Sequence, residues 1–139
     1  MNFVQARVEG STLLIGDHRI ALPEALINVT ADRDGDILVG LRPEDFSDAR
    51  VGTPQGETII PAEVEITEQL GPETYVYFRV PGFDVVEIGE RPVELPGALC
   101  ARLDPRTTAA PGERLDLALN PHGIRLFDPQ SGDALSLQQ

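Results

Sequence analysis

Glycine and proline recur along the whole chain, and their spacing constrains the fold more than any other feature. The 139 residues include 13 glycines and 12 prolines, spread throughout rather than pooled in a linker. Turns at such short intervals divide a chain into short strands, and no segment keeps apolar residues at helical spacing beyond a turn or two. The sequence therefore predicts an all-β protein of roughly ten short strands, arranged as a barrel or a sandwich.

Alternating hydrophobicity locates these strands. The predicted strands cover residues 3–9, 12–15, 18–22, 37–41, 59–68, 74–80, 99–103, 114–120 and 124–127, with a terminal strand at 134–135. The first three predict a meander, and the pair at 59–68 and 74–80 predicts the strongest hairpin because both halves alternate. We also expect a brief helical turn at 22–26, a mobile loop at 47–58 and a weaker, more polar stretch at 84–95.

One strand stops abruptly within residues 40–46, which read GLRPEDF. Pro43 disfavours a helical conformation for Arg42 and suits the first position of a short helical turn. Glu44 and Asp45 follow where the free N–H groups of that turn favour negative charge. From the residues alone, this segment is a strand-to-turn junction with a solvated arginine or a functional motif.

Charge excludes several classes of partner. The chain carries a formal charge of −12, and all 11 basic residues are arginine. Such a surface repels nucleic acid and anionic lipid. Without lysine or a glycine-rich phosphate loop, the chain by itself should neither bind nor hydrolyse ATP.

The single Cys100 lies in an apolar run and predicts a buried residue in a reducing compartment.

The residues suggest no active site and no metal centre. Asp32, Asp34 and Asp36 alternate, but they lack the glycine and acid spacing of a calcium loop. His18 and His122 follow turns and predict exposed histidines, too few for zinc.

No basic leader or membrane-spanning apolar run is present, so we expect a cytoplasmic chain that does not insert into a membrane.

One strand face has the composition of a contact surface. Tyr75, Tyr77 and Arg79 alternate with buried-type residues, and Tyr and Arg are enriched at protein interfaces. Glu63 and Glu65 predict the solvent face of the neighbouring strand. From the residues alone, Tyr75, Tyr77 and Arg79 form either an ordinary solvent-exposed strand face or a partner surface.

Three segments together resemble a known family. GLRPEDF at 40–46, VEITEQLGPET at 64–74 and LFDPQSGDAL at 126–135 are similar, in order and spacing, to motifs in the C-terminal regulatory domain of sugar-importer ABC ATPases. These are relatives of the maltose-importer ATPase. The opening Met1-Asn2-Phe3 also resembles the start of that domain.

The resemblance implies a TOBE fold of tandem, intertwined small barrels of the OB type, with residues 1–139 forming one regulatory domain of one or two sub-barrels. It implies that ATP and Mg belong to an upstream nucleotide-binding domain absent from this chain, and that the fragment itself holds no cofactor. The parent would act at the inner face of the cell membrane with the transporter's membrane subunits, and this domain would pair with its copy and in some members bind a regulatory protein. The imported substrate would be a carbohydrate, such as a disaccharide or a glycerol phosphate.

The resemblance also directs attention to particular residues. We expect Arg42, Pro43 and Glu44 to form a structural motif, in which Arg42 pairs with a carboxylate such as Glu44. The expected dimer or partner surface comprises Phe127, Asp128 and Gly132 from the family motif, together with Tyr75 and Tyr77, which the alternation along 74–80 indicates independently of the resemblance. Two alternatives stay open: a module that binds an oxyanion or small effector, and an oligonucleotide-binding barrel.

Overall fold

A computed structural model describes residues 2–30, 35–51, 58–86 and 97–135. The strands are β1 (Asn2–Glu9), β2 (Thr12–Ile15), β3 (His18–Ala21), β4 (Gly35–Leu41), β5 (Phe46–Asp48), β6 (Thr58–Leu70), β7 (Glu73–Arg79), β8 (Asp84–Val86), β9 (Leu99–Leu103), β10 (Arg114–Leu119), β11 (Arg125–Phe127) and β12 (Ala134–Leu135). The helical elements are α1 (Glu24–Val29) and two single 3₁₀ turns, the Pro43 turn (Pro43–Asp45) and the Pro121 turn (Pro121–Gly123). No helix within these described ranges is long and apolar enough to cross a membrane.

The first sheet is built around β1. Its strand order is β12-β11-β4-β1-β2-β3, and β8 pairs with β1 outside this path. One edge of β1 pairs with β4 from Asn2 to Val8. The other edge is shared, since β8 pairs with the first half of β1 and β2 with the second half. We call this seven-stranded array sheet A.

The second sheet, sheet B, has the order β5-β10-β6-β7-β9. Its two outermost strands, β5 and β9, lie close together, so the sheet curls into a nearly closed barrel. A β-bulge between Val64 and Ile66 in the long strand β6 contributes to this bending, because a bulge bends its strand and increases the local twist.

The chain alternates between the sheets, and both contribute to one core. Strands β1 to β4 belong to sheet A, β5 to β7 to sheet B, β8 to sheet A, β9 and β10 to sheet B, and β11 and β12 to sheet A. Val4 and Leu41 from sheet A are buried in the same cluster as Phe46 and Phe78 from sheet B. The rings of Phe46 and Phe78 meet edge to face at 5.3 Å between centroids. This arrangement confirms the predicted all-β fold, in which the chain passes back and forth between two sheets that share one core.

A buried amide joins the two sheets. The side chain of Asn2 is 1% exposed and donates to the carbonyl oxygens of Leu41 (3.0 Å) and Cys100 (2.9 Å). Its own oxygen accepts from the Cys100 N–H at 2.8 Å. The amide thereby bonds the N–H and the carbonyl of Cys100 much as a neighbouring strand would, so these two backbone groups of β9 have partners in the interior.

Two turns also meet between the sheets. Gly16, at φ +59°, lies in the β2–β3 turn against the carbonyl of Gly82 in the β7–β8 turn. A Cβ at position 16 would overlap that carbonyl, so both the positive φ and the close approach require glycine here.

Most of the predicted elements are confirmed, with different bounds. The meander and the β6–β7 hairpin form, and Cys100 is buried. The helical turn predicted at 22–26 is the longer helix α1, which packs Leu26 and Ile27 against the core. The predicted loop at 47–58 is wrong at its start, because β5 pairs there with β10; residues 52–57 lie outside the described part. Within the stretch at 84–95, β8 forms and the remainder is not described.

Candidate interaction surfaces

The Pro43 turn closes through Asp45 rather than through Arg42. Arg42 is extended (φ −85°, ψ 147°), and its N–H donates to Asp45 Oδ2 at 3.1 Å while its carbonyl accepts from the Asp45 N–H at 3.0 Å. Arg42 and Glu44 are both exposed, and no described residue forms a salt bridge with either. The expected ion pair of Arg42 is therefore not found among the described residues. A three-residue turn leaves the guanidinium in solvent, whereas the shorter Asp45 carboxylate reaches the backbone.

Asp45 also joins the Pro43 turn to the Pro121 turn. Its carbonyl accepts from the Asn120 N–H at 3.0 Å, and its carboxylate lies directly against Gly123, where a Cβ would overlap it. Asn120 in turn accepts from the His122 N–H at 3.0 Å. Sequence reasoning missed this contact, although Asp45 stood within the motif that it singled out.

The two predicted tyrosines lie on the outer face of sheet B. We define the β6–β7 face as Ile66, Glu68, Leu70, Glu73, Tyr75 and Tyr77, which the register of the hairpin brings onto one side of the sheet. Ile66 is 38% exposed and Leu70 57% exposed, which is unusual for large aliphatic residues. Sequence reasoning missed both, because the bulge in β6 shifts the alternation that would have marked them.

The tyrosine hydroxyls lie in a polar setting. Tyr75 donates to Glu73 Oε2 at 2.9 Å, and this hydrogen bond raises the pKa of Tyr75. Burial raises the pKa of Tyr77, with smaller contributions from Cys100 and Glu68. Both phenols therefore stay protonated near neutral pH. Two exposed aliphatic side chains, two tyrosines and the interleaved Glu68 and Glu73 form a mixed apolar and polar surface, a composition found at protein contacts.

The other predicted surface residues build a rigid turn on sheet A. Phe127 is half-buried and packs edge to face on Phe3 at 5.4 Å between ring centroids. Asp128 Oδ1 accepts from the N–H groups of Gln130 (2.8 Å) and Ser131 (2.9 Å), and its carbonyl accepts from Gly132 (2.8 Å). Gly132 has φ +78°, which suits glycine. These residues lie on sheet A and the tyrosines on sheet B, so the predicted set forms two separate surfaces.

The described residues line clefts on the surface, and two of them matter here. The larger, of about 400 Å³, lies between the turn at 129–132 and the outer face of sheet A. The smaller, of about 210 Å³, is lined by residues that include His18, Glu63 and Arg114. His18 is half-buried rather than exposed, with its ring edge to face with Phe83 at 5.3 Å. No group of three metal-ligating side chains occurs among the described residues; Asp32 and Asp34 lie outside them.

Comparison with known proteins identifies the family. A sequence model described as the TOBE domain matches residues 39–127, and one described as the MalK OB fold domain matches residues 1–46. The chain belongs to the TOBE domain family. The resemblance carried by the three motifs is thereby confirmed, and the TOBE match includes both the Pro43 turn and the β6–β7 face.

The similar curated proteins are ATP-binding proteins of transporters. The sulfoquinovosyl glycerol transport ATP-binding protein SmoE of Agrobacterium fabrum is 32% identical over 131 residues, covering 92% of this chain and 31% of its own length. The sn-glycerol-3-phosphate import ATP-binding protein UgpC of Paracoccus denitrificans is 30% identical, covering 87% and 30%. Its counterpart in Rhodopseudomonas palustris is 34% identical, covering 65% and 25%. This TOBE chain thus spans about a third or less of these relatives.

A solved structure shares the fold. The cytoplasmic molybdate-binding protein ModG matches with a TM-score of 0.65 and 12% identity, covering 92% of this chain and 96% of that one. At this identity, the likeness shows the fold alone.

Proposed function

We propose that this chain is the non-catalytic regulatory and dimerisation domain of the ATP-binding subunit of an ABC importer for a carbohydrate or a glycerol phosphate. One observation carries the proposal: the MalK OB fold and TOBE models match in series along one intertwined core. The relatives are transport ATP-binding proteins of which the chain spans only about a third, and the chain has no phosphate-binding loop.

This proposal divides the work of the parent protein. ATP and Mg would bind in a separate, upstream nucleotide-binding domain, and membrane subunits at the inner face of the cell membrane would carry the substrate. The TOBE chain would hold two ATPase halves together while they open and close. A regulatory protein would act through the same domain.

The β6–β7 face is the better supported dimer surface. Ile66 and Leu70 already lie in solvent, so burying them against a second copy releases water at no cost to the monomer fold. Phe127, in contrast, is already packed on Phe3, and the turn at Asp128 to Gly132 is polar. A twofold contact through one self-complementary patch is the commonest form of dimer.

Sedimentation velocity from micromolar to millimolar concentration tests the pairing. We expect a reversible dimer, whose dissociation constant rises at least about tenfold in Ile66→Glu because a charge is buried unpaired. Ile59→Glu is the matched control, since Ile59 is 46% exposed on the same strand but outside the face. A monomer at every concentration, or equal effects of the two substitutions, would contradict the assigned surface.

A small-ligand module is the second candidate, and the 400 Å³ cleft is the observation that favours it. The fold shared with ModG is compatible with this role. The charge of −12 disfavours an oxyanion as the ligand.

A further inference from the structure

The larger cleft has a floor set by the register of sheet A. Gln5 of β1 lies opposite Asp84 of β8 and Leu38 of β4, and Leu38 lies opposite Phe127 of β11. These residues share the outer face of the sheet. Leu38 and Val86 supply apolar surface to the cleft, and Gln5 stands between their strands.

The opposite wall is held in one conformation. Besides the hydrogen bonds that the Asp128 oxygens accept, the Asp128 N–H donates to the Asp133 carbonyl at 2.8 Å. The Asp133 N–H donates to Ser131 Oγ at 3.1 Å. Because the turn bonds internally, its backbone does not have to become ordered when a ligand enters. Such preorganisation lowers the entropy cost of binding.

Three polar side chains of the cleft are not used by the fold. Within the described part of the chain, the side chains of Gln5, Asp36 and Gln130 make no hydrogen bond, and Asp36 makes no salt bridge although Arg7 lies opposite it. Two amides supply donors and acceptors, the Asp36 carboxylate supplies an acceptor, and Ser131 supplies a hydroxyl.

These features select a class of ligand. A volume of about 400 Å³ falls within the range of small-molecule sites, roughly 300–1,000 Å³. Among the described residues that line the cleft, Asp36 is the one with a charged side chain, and Asp84 lies beside Gln5 on the same face. Carboxylates repel anions, and no group of three metal-ligating side chains occurs in the described part of the chain. A neutral molecule with several hydroxyl groups and an apolar C–H face matches amide, carboxylate and hydroxyl partners over an aliphatic floor.

We propose that the cleft between the turn at 129–132 and the outer face of β1 and β4 binds a neutral sugar or polyol. This site is argued from the cleft alone and stands independently of the proposed role in an importer. An occupant would bridge the turn after β11 to the strand that leads into the Pro43 turn.

Chemical-shift titration of the ¹⁵N-labelled chain tests the proposal, with glycerol, glucose and maltose as neutral probes and sn-glycerol 3-phosphate and molybdate as anionic ones. We expect saturable shifts confined to residues 129–132 and the adjoining parts of β1 and β4, with neutral probes binding more tightly than anions. Gln130→Ala and Asp36→Ala should each weaken binding about tenfold, the loss expected for one or two hydrogen bonds.

Matched controls lie on sheet B. Gln69→Ala and Asp116→Ala are the same substitutions at exposed positions away from the cleft, and they should leave the affinity unchanged. Absence of saturable shifts with all neutral probes, tighter binding of either anion, or shifts that map to the second cleft would each overturn the proposal. None of these outcomes depends on whether the chain dimerises, so the two proposals fail separately.

Discussion

At the scale of single residues, Asp48 is the most constrained charge in the described structure. Its side chain is fully buried, and it accepts from the Arg50 backbone N–H (2.9 Å) and the Arg50 guanidinium. Thr107 donates a further hydrogen bond at 2.6 Å. Burial raises the pKa of Asp48, but the hydrogen bonds from Arg50 and Thr107 outweigh it, so the pKa lies below its ordinary 3.8.

The lowered pKa predicts a loss of stability in acid. A carboxyl group with a depressed folded-state pKa stabilises the fold fully above its unfolded pKa, and this contribution disappears as pH falls through the folded value. Asp48→Asn should therefore lower the free energy of unfolding by about 1–3 kcal/mol at pH 7, and the difference from wild type should shrink below about pH 4. Urea titrations between pH 7 and pH 3 measure it.

The control for this prediction is Asp116→Asn, an exposed carboxylate on β10 beside β5. It should change stability little at either pH. A difference for Asp48→Asn that stays constant down to pH 3 would show that the network contributes through packing rather than through charge.

At the scale of elements, the contact between the Pro43 and Pro121 turns fixes where β4 ends and β11 begins. Both turns are too short to be stable alone, so each depends on the other. Asp45 provides the shared bonds, whereas Arg42 and Glu44 point into solvent. The motif is therefore structural through its aspartate and its proline.

Alanine substitutions along this motif should separate these roles. Asp45→Ala should destabilise the fold by about 1–2 kcal/mol, as the loss of a capping carboxylate does. Glu44→Ala and Arg42→Ala should each stay within about 0.5 kcal/mol, because exposed groups contribute little. Thermal and urea unfolding provide the values. A larger loss in Arg42→Ala than in Asp45→Ala would restore the ion pair that the sequence suggested.

At the scale of the whole molecule, Asn2 links the sheets at a point where no strand pairing does. Its amide satisfies both backbone groups of Cys100 and the Leu41 carbonyl in the buried region. Removing it leaves interior backbone groups without partners, a cost of about 1–3 kcal/mol for each group. The link therefore stabilises the joint between sheet A and sheet B.

Asn2→Ala should lower the free energy of unfolding by at least about 2 kcal/mol. It should also speed hydrogen exchange at the Cys100 amide, because that N–H loses its acceptor. Gln5→Ala, an exposed substitution on the same strand, should do neither. Unchanged protection of Cys100 in Asn2→Ala would argue against the link.

The candidate surfaces were predictable only in part. The outward position of Tyr75 and Tyr77 was predictable because strict alternation along β7 marks an outward face, and their contact with a partner stays a prediction. Ile66 and Leu70 were missed because a bulge is not visible in composition. Phe127, Asp128 and Gly132 were found as a motif, but the structure assigns their side chains and backbone to building a turn and one wall of a cleft.

The sequence by itself determined the strand class, the positions of most strands and the family, because alternation and turn residues act between neighbours along the chain. Only the tertiary structure decided which groups close the fold. Asn2 and Cys100 are 98 positions apart, and Asp48 and Thr107 are 59 apart. Such pairs leave no local pattern, since each partner is selected by the packing of the two sheets rather than by its neighbours in the chain.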